Sequence, residues 1–378
     1  MRSKELLLKT LNHEEPDRVP VDLGSTNVTT ITWPAYVNLC KYLGLDKEKE
    51  ITVVDRIQQI VVPDEEVLLR LKVDTRSVWL PKPGARKVEL EEEDAYMDDW
   101  GIVRKKVAGS WYYDVIKFPL EDANSIEDLL NYKWPNPNSL KKFEKVENEA
   151  KKLYSEGVYP LVIDPTGSIP FQNSQLLRGF GTFLMDLVLN KSFAEFLMDK
   201  LVEFQIKRLE KLLKEVGNYI NVIKIADDLG TQKGPLISPE LYRNLIKPRH
   251  RQLIQFIKKK SKAKILFHSD GGIYPFIEDL IDIGVDILNP VQVSAHGMDT
   301  KRLKREFGKS LCFWGGIDTQ RTLPYGSIKD VEDEVKRRID ELAPGGGYVL
   351  APGHNIQPDV PPENIVAMYQ TAIEYGKK

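Results

Sequence analysis

The chain has 378 residues, with 54 lysines and arginines against 56 aspartates and glutamates, and a formal charge of -2 leaves no electrostatic footprint for nucleic acid. A hydrophobic fraction of 42% supports a large core and excludes disorder as the main state, while two cysteines exclude a disulfide scaffold or a four-cysteine zinc site. No run approaches the roughly 18 apolar residues of a membrane helix, and the N-terminal residues lack a secretory apolar core, so a soluble, cytoplasmic protein is expected.

Short apolar runs alternate with helical patterns along the chain. Eight runs are expected as strands: 19–23, 74–80, 159–164, 221–226, 264–268, 286–289, 311–315 and 347–351. Most are almost continuously apolar, which suits strands buried on both faces of a parallel sheet. After the second strand the alternation breaks. Strand-like runs at 87–90, 101–106 and 111–118 predict a small antiparallel β insertion over 86–118, placed to cover a mouth or mediate assembly.

Helical spacing resumes at 139–155, with Leu140, Phe143, Val146, Ala150 and Leu153 at steps of three and four. Gly179-Phe180-Gly181 is expected to break a helix. The 238–259 pattern opens with Ser238 as N-cap and Pro239 at the first helical position. The 327–342 pattern starts at a serine and puts Ile328, Val331, Val335, Ile339 and Leu342 on one face. A last helix runs from Pro361-Pro362 to Tyr375. Eight strands with helices between them predict an α/β fold, a (β/α)8 TIM barrel, with an open doubly wound sheet as the alternative. Without a repeat or a flexible linker, residues 1–378 read as a single domain.

A barrel places its chemistry at the C-terminal ends of its strands. Those ends read Asp22-Leu23-Gly24-Ser25-Thr26-Asn27, Asp164-Pro165-Thr166-Gly167-Ser168, Asp227-Asp228-Leu229-Gly230-Thr231-Gln232, His268-Ser269-Asp270-Gly271-Gly272, Asn289-Pro290-Val291-Gln292, Gly315-Gly316-Ile317-Asp318 and Pro352-Gly353-His354-Asn355. So many polar ends argue for one shared polar pocket, against the plainer reading that loops are polar anyway.

His268-Ser269-Asp270 is the sharpest local feature. Residues two apart on an extended segment point the same way, so the imidazole and the carboxylate converge. His354 could complete a two-histidine, one-carboxylate set suited to Zn(II) or Fe(II) as a Lewis acid. The alternative is a local hydrogen bond for His268 and a loop cap for Asp270. Of Asp227-Asp228 only one faces the pocket, because adjacent strand residues point to opposite faces. Asp228 would anchor substrate or handle a proton, or else cap the Leu229-Gly230 turn. Cys40 and Cys312 read as buried core. His250, beside Lys247, Arg249 and Arg251, reads as part of a solvated helix face, and His13 and His296 have no evident partner.

These motifs together resemble the uroporphyrinogen decarboxylase superfamily, which also contains the corrinoid-dependent methyltransferases. The resemblance rests on Glu15-Pro16-Asp17-Arg18-Val19-Pro20-Val21, on Asp227 to Gln232 with Ile237-Ser238-Pro239, on Phe267 to Gly271 and Asn289 to Gln292, and on Ala351 to Ile356 with Pro362-Glu363-Asn364. It implies a (β/α)8 barrel. In true decarboxylases the start is followed by an arginine-rich loop that binds the many carboxylates of the substrate. Here the loop reads Asp22-Leu23-Gly24-Ser25-Thr26-Asn27-Val28-Thr29-Thr30, without an arginine, and a polyanion would lack fork-shaped cations. The methyltransferase branch carries His-x-Cys and a later cysteine that bind zinc. His268 matches directly, whereas Asp270 and His354 stand where thiolates would be. His354 also matches the Gly-His of true decarboxylases.

The resemblance therefore implies a methyltransferase that moves a methyl group to or from a corrinoid held on a partner protein. A divalent metal, zinc first, would be bound by His268, Asp270 and His354. Asp228 would join them as a catalytic residue, and Asp164, Gln232, Asn289, Gln292 and Asp318 would contact a small-molecule methyl donor or acceptor. A metal-free carboxy-lyase and a non-catalytic tetrapyrrole or corrinoid binder are the alternatives.

Overall fold

The structure, a computed structural model, describes residues 1–45, 51–80, 86–87, 94–107, 109–137, 143–165, 167 and 169–377. Residues 88–90 of one expected insertion strand, 139–142 of one expected helix, and Thr166 and Ser168 lie outside them.

Seven parallel strands form the central sheet: β1 (Arg76–Ser77), β2 (Leu161–Ile163), β3 (Val222–Ala226), β4 (Lys264–His268), β5 (Ile287–Asn289), β6 (Cys312–Ile317) and β7 (Tyr348–Pro352). Their spatial order is their chain order, from β7 at one edge to β1 at the other. The eighth position is filled by the extended 19–23 segment. The Leu350 N–H donates to the Pro20 carbonyl at 2.9 Å and the Asp22 N–H to the Leu350 carbonyl at 3.0 Å. On the other side the Asp74 N–H donates to the Val21 carbonyl at 2.9 Å. The sheet thus closes on itself as a (β/α)8-type barrel, its first strand held by few bonds on each side.

Strand parity divides the core. Val162, Val222, Leu266, Ile287, Cys312, Trp314, Val349 and Ala351 pack together inside the barrel with Leu7 and Leu11. Those two leucines come from the helix Ser3–Leu11, which lies across the lower end of the barrel. The alternate residues, such as Ile223, Ile225, Ile265 and Phe267, face outward into the layer shared with the helices. Cys312 is buried inside β6, and burial pushes its thiol up to about 12. Its Sγ lies 3.7 Å from Nε2 of His13.

The helices follow their sequence signals. Ser238 accepts a hydrogen bond from the Leu241 N–H and starts Pro239–Leu241, which continues through a π-turn at Tyr242–Ile246 into Lys247–Lys260. Ser327 and Asp330 form a reciprocal capping box on Ile328–Leu342. Gly179, at φ +94°, separates Pro170–Arg178 from Phe180–Leu189.

The insertion is an antiparallel sheet of four strands: Arg86–Lys87, Ala95–Met97, Val103–Lys106 and Tyr113–Lys117. Ala95–Met97 lies in a stretch expected to be a connection. Its alanine and tyrosine are buried, and acidic neighbours hide the alternation. A second small sheet, absent from the sequence reading, pairs Ile31–Thr32, Ile60–Val61 and Val53–Asp55. Strands this short leave no period to read.

Candidate functional site

Above the apolar floor of the barrel, four inward positions are followed two residues further along by a polar group. Val162 is followed by Asp164, Val222 by Lys224, Leu266 by His268 and Ile287 by Asn289. The same period of two that builds the core delivers these side chains to the mouth.

At the end of β4, His268 and Asp270 come together with His354 from the loop after β7. One ligand atom from each lies within 4.8 Å of the others. The Asp270 Oδ2 is 3.7 Å from Nε2 of His268 and 3.9 Å from Nε2 of His354. Donors around one tetrahedral ion sit about 3.3 Å apart, so the carboxylate and the two imidazoles would close in on a bound ion.

The two ring nitrogens turned away from Asp270 are both engaged. His268 Nδ1 lies 2.6 Å from the Asn289 Oδ1, and the Asn289 amide is oriented by donation to the Trp314 carbonyl at 3.0 Å. His354 Nδ1 lies 3.0 Å from the Asn355 Oδ1, and the Asn355 amide donates to the Gln58 Oε1 at 3.0 Å. An amide oxygen accepts, so in the neutral form of each ring the proton sits on Nδ1 and Nε2 is the atom left for a ligand bond. The donor set fits a divalent cation with positions left open.

Charge at the triad is tightly balanced. Burial alone would lower the His268 pKa, but Asp270 and Asp228 outweigh it and raise it. Burial would raise the Asp270 carboxyl, but His268, His354 and Lys224 overcome it and hold it at about 2. Asp270 is thus a carboxylate throughout the neutral range.

Backbone packing fixes Asp270. Its N–H donates to the Asp228 Oδ1 at 3.0 Å, and the other Asp228 oxygen accepts from the Gln172 side-chain amide. Gly271 has φ +89°, and a Cβ there would lie 2.4 Å from the Gly230 carbonyl carbon. Only glycine lets these two loops meet at that distance. The Gly271 N–H donates to the Gln292 Oε1 at 2.7 Å.

Parity also separates the paired aspartates. Asp228 continues the inward series of Val222, Lys224 and Ala226. Asp227 continues the outward series of Ile223 and Ile225, and it is fully buried. Its Oδ2 lies 2.8 Å from His250 Nε2, and its oxygens accept from the Phe171 and Gln172 N–H groups. His250 is therefore not on a solvated helix face: it is fully buried, with Nδ1 3.2 Å from the Tyr242 hydroxyl. Of the basic neighbours that suggested exposure only Arg251 is exposed; Arg249 is itself buried and Lys247 is half-buried against Asp279.

The remaining expected contact residues are spread over the mouth. Asp164 pairs with Lys224 at 3.2 Å. Gln232 is exposed and donates to the Gln320 Oε1 at 2.6 Å. Asp318 accepts from the Gln320 N–H at 2.7 Å and so shapes its own loop. Asn289 stands behind His268.

Lys224 was not among the sequence candidates. Its side chain is 1% exposed inside the barrel, and Nζ donates to the Asn27 Oδ1 at 2.9 Å and to Asp164. The Asp164 Oδ1 is buried without a partner among the described residues. The signal was one lysine inside the apolar run Val222-Ile223-Lys224-Ile225-Ala226, at an inward position. No arginine pairs with His268, Asp270, His354 or Asp228 among the described residues. In the loop after the first strand, Asp22 instead gathers the Ser25 hydroxyl at 2.8 Å and the Trp314 Nε1–H at 2.9 Å.

Fold and mouth together define a class: a (β/α)8 barrel with a His–Asp–His cluster at the C-terminal ends of its strands. A family model described as Uroporphyrinogen decarboxylase (URO-D) matches residues 161–375, more than half of the chain, and the chain belongs to that family. A uroporphyrinogen decarboxylase of Geobacter metallireducens is 27% identical over 182 residues, 48% of this chain and 49% of that protein. The methylcobamide:CoM methyltransferase MtaA of Methanosarcina barkeri is 28% identical over 207 residues, 53% of this chain and 57% of that protein. The chain spans about half the length of the curated relatives it matches. A solved methyltransferase from Methanosarcina mazei, at 21% sequence identity, shares the fold over 99% of both chains with a TM-score of 0.65. The named relatives are enzymes of two kinds. No described helix is long and apolar enough to cross a membrane.

Proposed function

We propose that this chain is a methyltransferase that moves a methyl group to or from a corrinoid carried on a partner protein. His268, Asp270 and His354 would hold a divalent metal, zinc first by its preference for such a set. The observation that carries this reading is the pair of imidazole Nε2 atoms converging on one carboxylate, each ring braced at Nδ1 by an amide oxygen. The metal would supply Lewis-acid activation of the methyl acceptor. Asp228 and Gln292 hold the 270–271 backbone, Asn289 fixes the His268 ring, and Asp164 with Lys224 forms the charged floor beneath. Gln232 and Asp318 stand at the rim, where a small-molecule methyl donor or acceptor would enter.

The test is elemental analysis of untagged, anaerobically purified protein, beside methyl transfer from free methylcobalamin. About one equivalent of metal is expected, with metal and transfer lost together in His268→Ala. Full transfer in that variant would sink the assignment.

The decarboxylases among the relatives favour a second reading, a carboxy-lyase in which His354 and Asp228 bind and protonate the substrate. Its weakness is electrostatic. Asp164, Asp228 and Asp270 would face a polycarboxylate with Lys224 as the buried cation among them. Turnover of a porphyrinogen by metal-free protein would establish it.

A further inference from the structure

His268 and His354 are held in different ways. Asn289, which braces His268, belongs to the neighbouring barrel strand. Asn355, which braces His354, is fully buried and is itself held from outside the barrel. Its Oδ1 accepts from His354 Nδ1 at 3.0 Å, from the Tyr112 hydroxyl at 3.1 Å and from the Gln357 side-chain amide. Its Nδ2 donates to Gln58. Gln58 lies between the strands Val53–Asp55 and Ile60–Val61, and Tyr112 immediately precedes the last insertion strand. These two pieces are joined to each other. The Tyr113 N–H donates to the Ile57 carbonyl at 3.0 Å, and the Gln59 side-chain amide donates to the Trp111 carbonyl at 3.0 Å. Arg56 stacks over the rings of Tyr96 and Tyr113.

We infer that Gln58, Tyr112 and Asn355 are positioning residues of the metal centre, and that metal binding and the seating of this outer lobe on the barrel are linked in both directions. The inference rests on the metal reading above. An asparagine amide has one donating and one accepting end. Gln58 takes the donating end, so the oxygen must face His354. The Tyr112 hydroxyl donates to that same oxygen. In the neutral ring the His354 proton then sits on Nδ1, and Nε2 is left for the ligand bond on the Asp270 side. If the amide turned over, Nδ1 would have to accept, and the proton would move to Nε2 and block the ligand position. Outer partners of this kind change metal affinity by about 10–100-fold. Linkage then requires that bound metal stabilise the contacts that hold the lobe.

The experiment measures zinc affinity of the full chain by competition with a chelator, and amide hydrogen exchange over 111–117 with and without zinc. Asn355→Leu is expected to weaken zinc by about 10–100-fold, and Asn355→Asp, which keeps an acceptor, to restore it. Gln58→Leu and Tyr112→Phe remove single polar groups from half-buried side chains, so they keep the fold, and each should weaken zinc by a smaller factor. Zinc should slow exchange at Tyr113 in the wild type and less so in Asn355→Leu. Unchanged affinity in Asn355→Leu and Gln58→Leu, with a wild type that binds zinc, would overturn the positioning role alone. A wild type that takes up no zinc would overturn the metal reading itself.

Discussion

Two histidine–carboxylate pairs lie on opposite faces of the same part of the barrel. His250 with Asp227 is sealed between strand and helix, and every polar atom of the pair has a partner: Tyr242, two backbone amides and each other. His268 with Asp270 stands at the mouth, with His354 beside it and Nε2 atoms that, among the described residues, meet a carboxylate almost 4 Å away. The first pair has spent all its hydrogen-bonding capacity on the fold. The second has spent only its rear nitrogens. The difference shows that a buried histidine beside an aspartate is not in itself a site. What marks one is a donor atom left uncommitted and aimed at others like it.

Crossing the two pairs by mutation gives the largest contrast. Asp270→Ala should abolish stoichiometric metal and leave the thermal midpoint close to that of the metal-free wild type. Metal analysis and calorimetry on the same sample check both halves. His250→Ala should do the opposite, lowering stability by about 3 kcal/mol because it leaves Asp227 buried without its imidazole. Urea denaturation reads that loss, while metal content per folded chain should hold. If His250→Ala instead removed the metal at unchanged stability, the division between a structural and a functional pair would fail.

Lys224 tests whether the floor of the mouth is built as a unit. Lys224→Met strands the Asp164 carboxylate and should cost about 3 kcal/mol, whereas Lys224→Met with Asp164→Asn should recover most of it. Additive losses in a double-mutant cycle would show that the two do not act together. Gly271→Ala tests the loop contact behind Asp270. The left-handed backbone alone should cost about 1–2 kcal/mol, the backbone clash with Gly230 and Thr231 adds to it, and zinc should weaken as Asp270 shifts. Unchanged zinc affinity there would show that the loop contact does not place the carboxylate.

Much of this was legible in the chain. β4 is read to the residue, and β2, β3, β5, β6 and β7 to within about two residues, because continuous apolar runs between helical patterns leave little else to form. Asp74 to Leu80 shortens to Arg76–Ser77, and the first strand becomes an extended segment with a few ladder bonds, since closure leaves those edges least regular. The insertion was legible as antiparallel sheet, but its Ala95–Met97 strand was hidden by the surrounding acids. His250 was misread because three basic neighbours signalled solvent, but the helix turns His250 into the core and Arg249 is buried beside it against Asp199.

The sequence by itself determined the barrel, the period of two that lifts polar groups above an apolar floor, and the His-x-Asp step that sets two groups on one face. Those are local rules of strand geometry, and they need no knowledge of what packs opposite. Only the tertiary structure decided that His354 joins His268 and Asp270, that Asp227 turns away to His250 while Asp228 turns inward, and that Gln58 and Tyr112 reach the site through Asn355. Each of these depends on residues from about 23 to 297 positions apart in the chain being brought within about 4 Å of one another. Closing the barrel does that, and no local pattern records it.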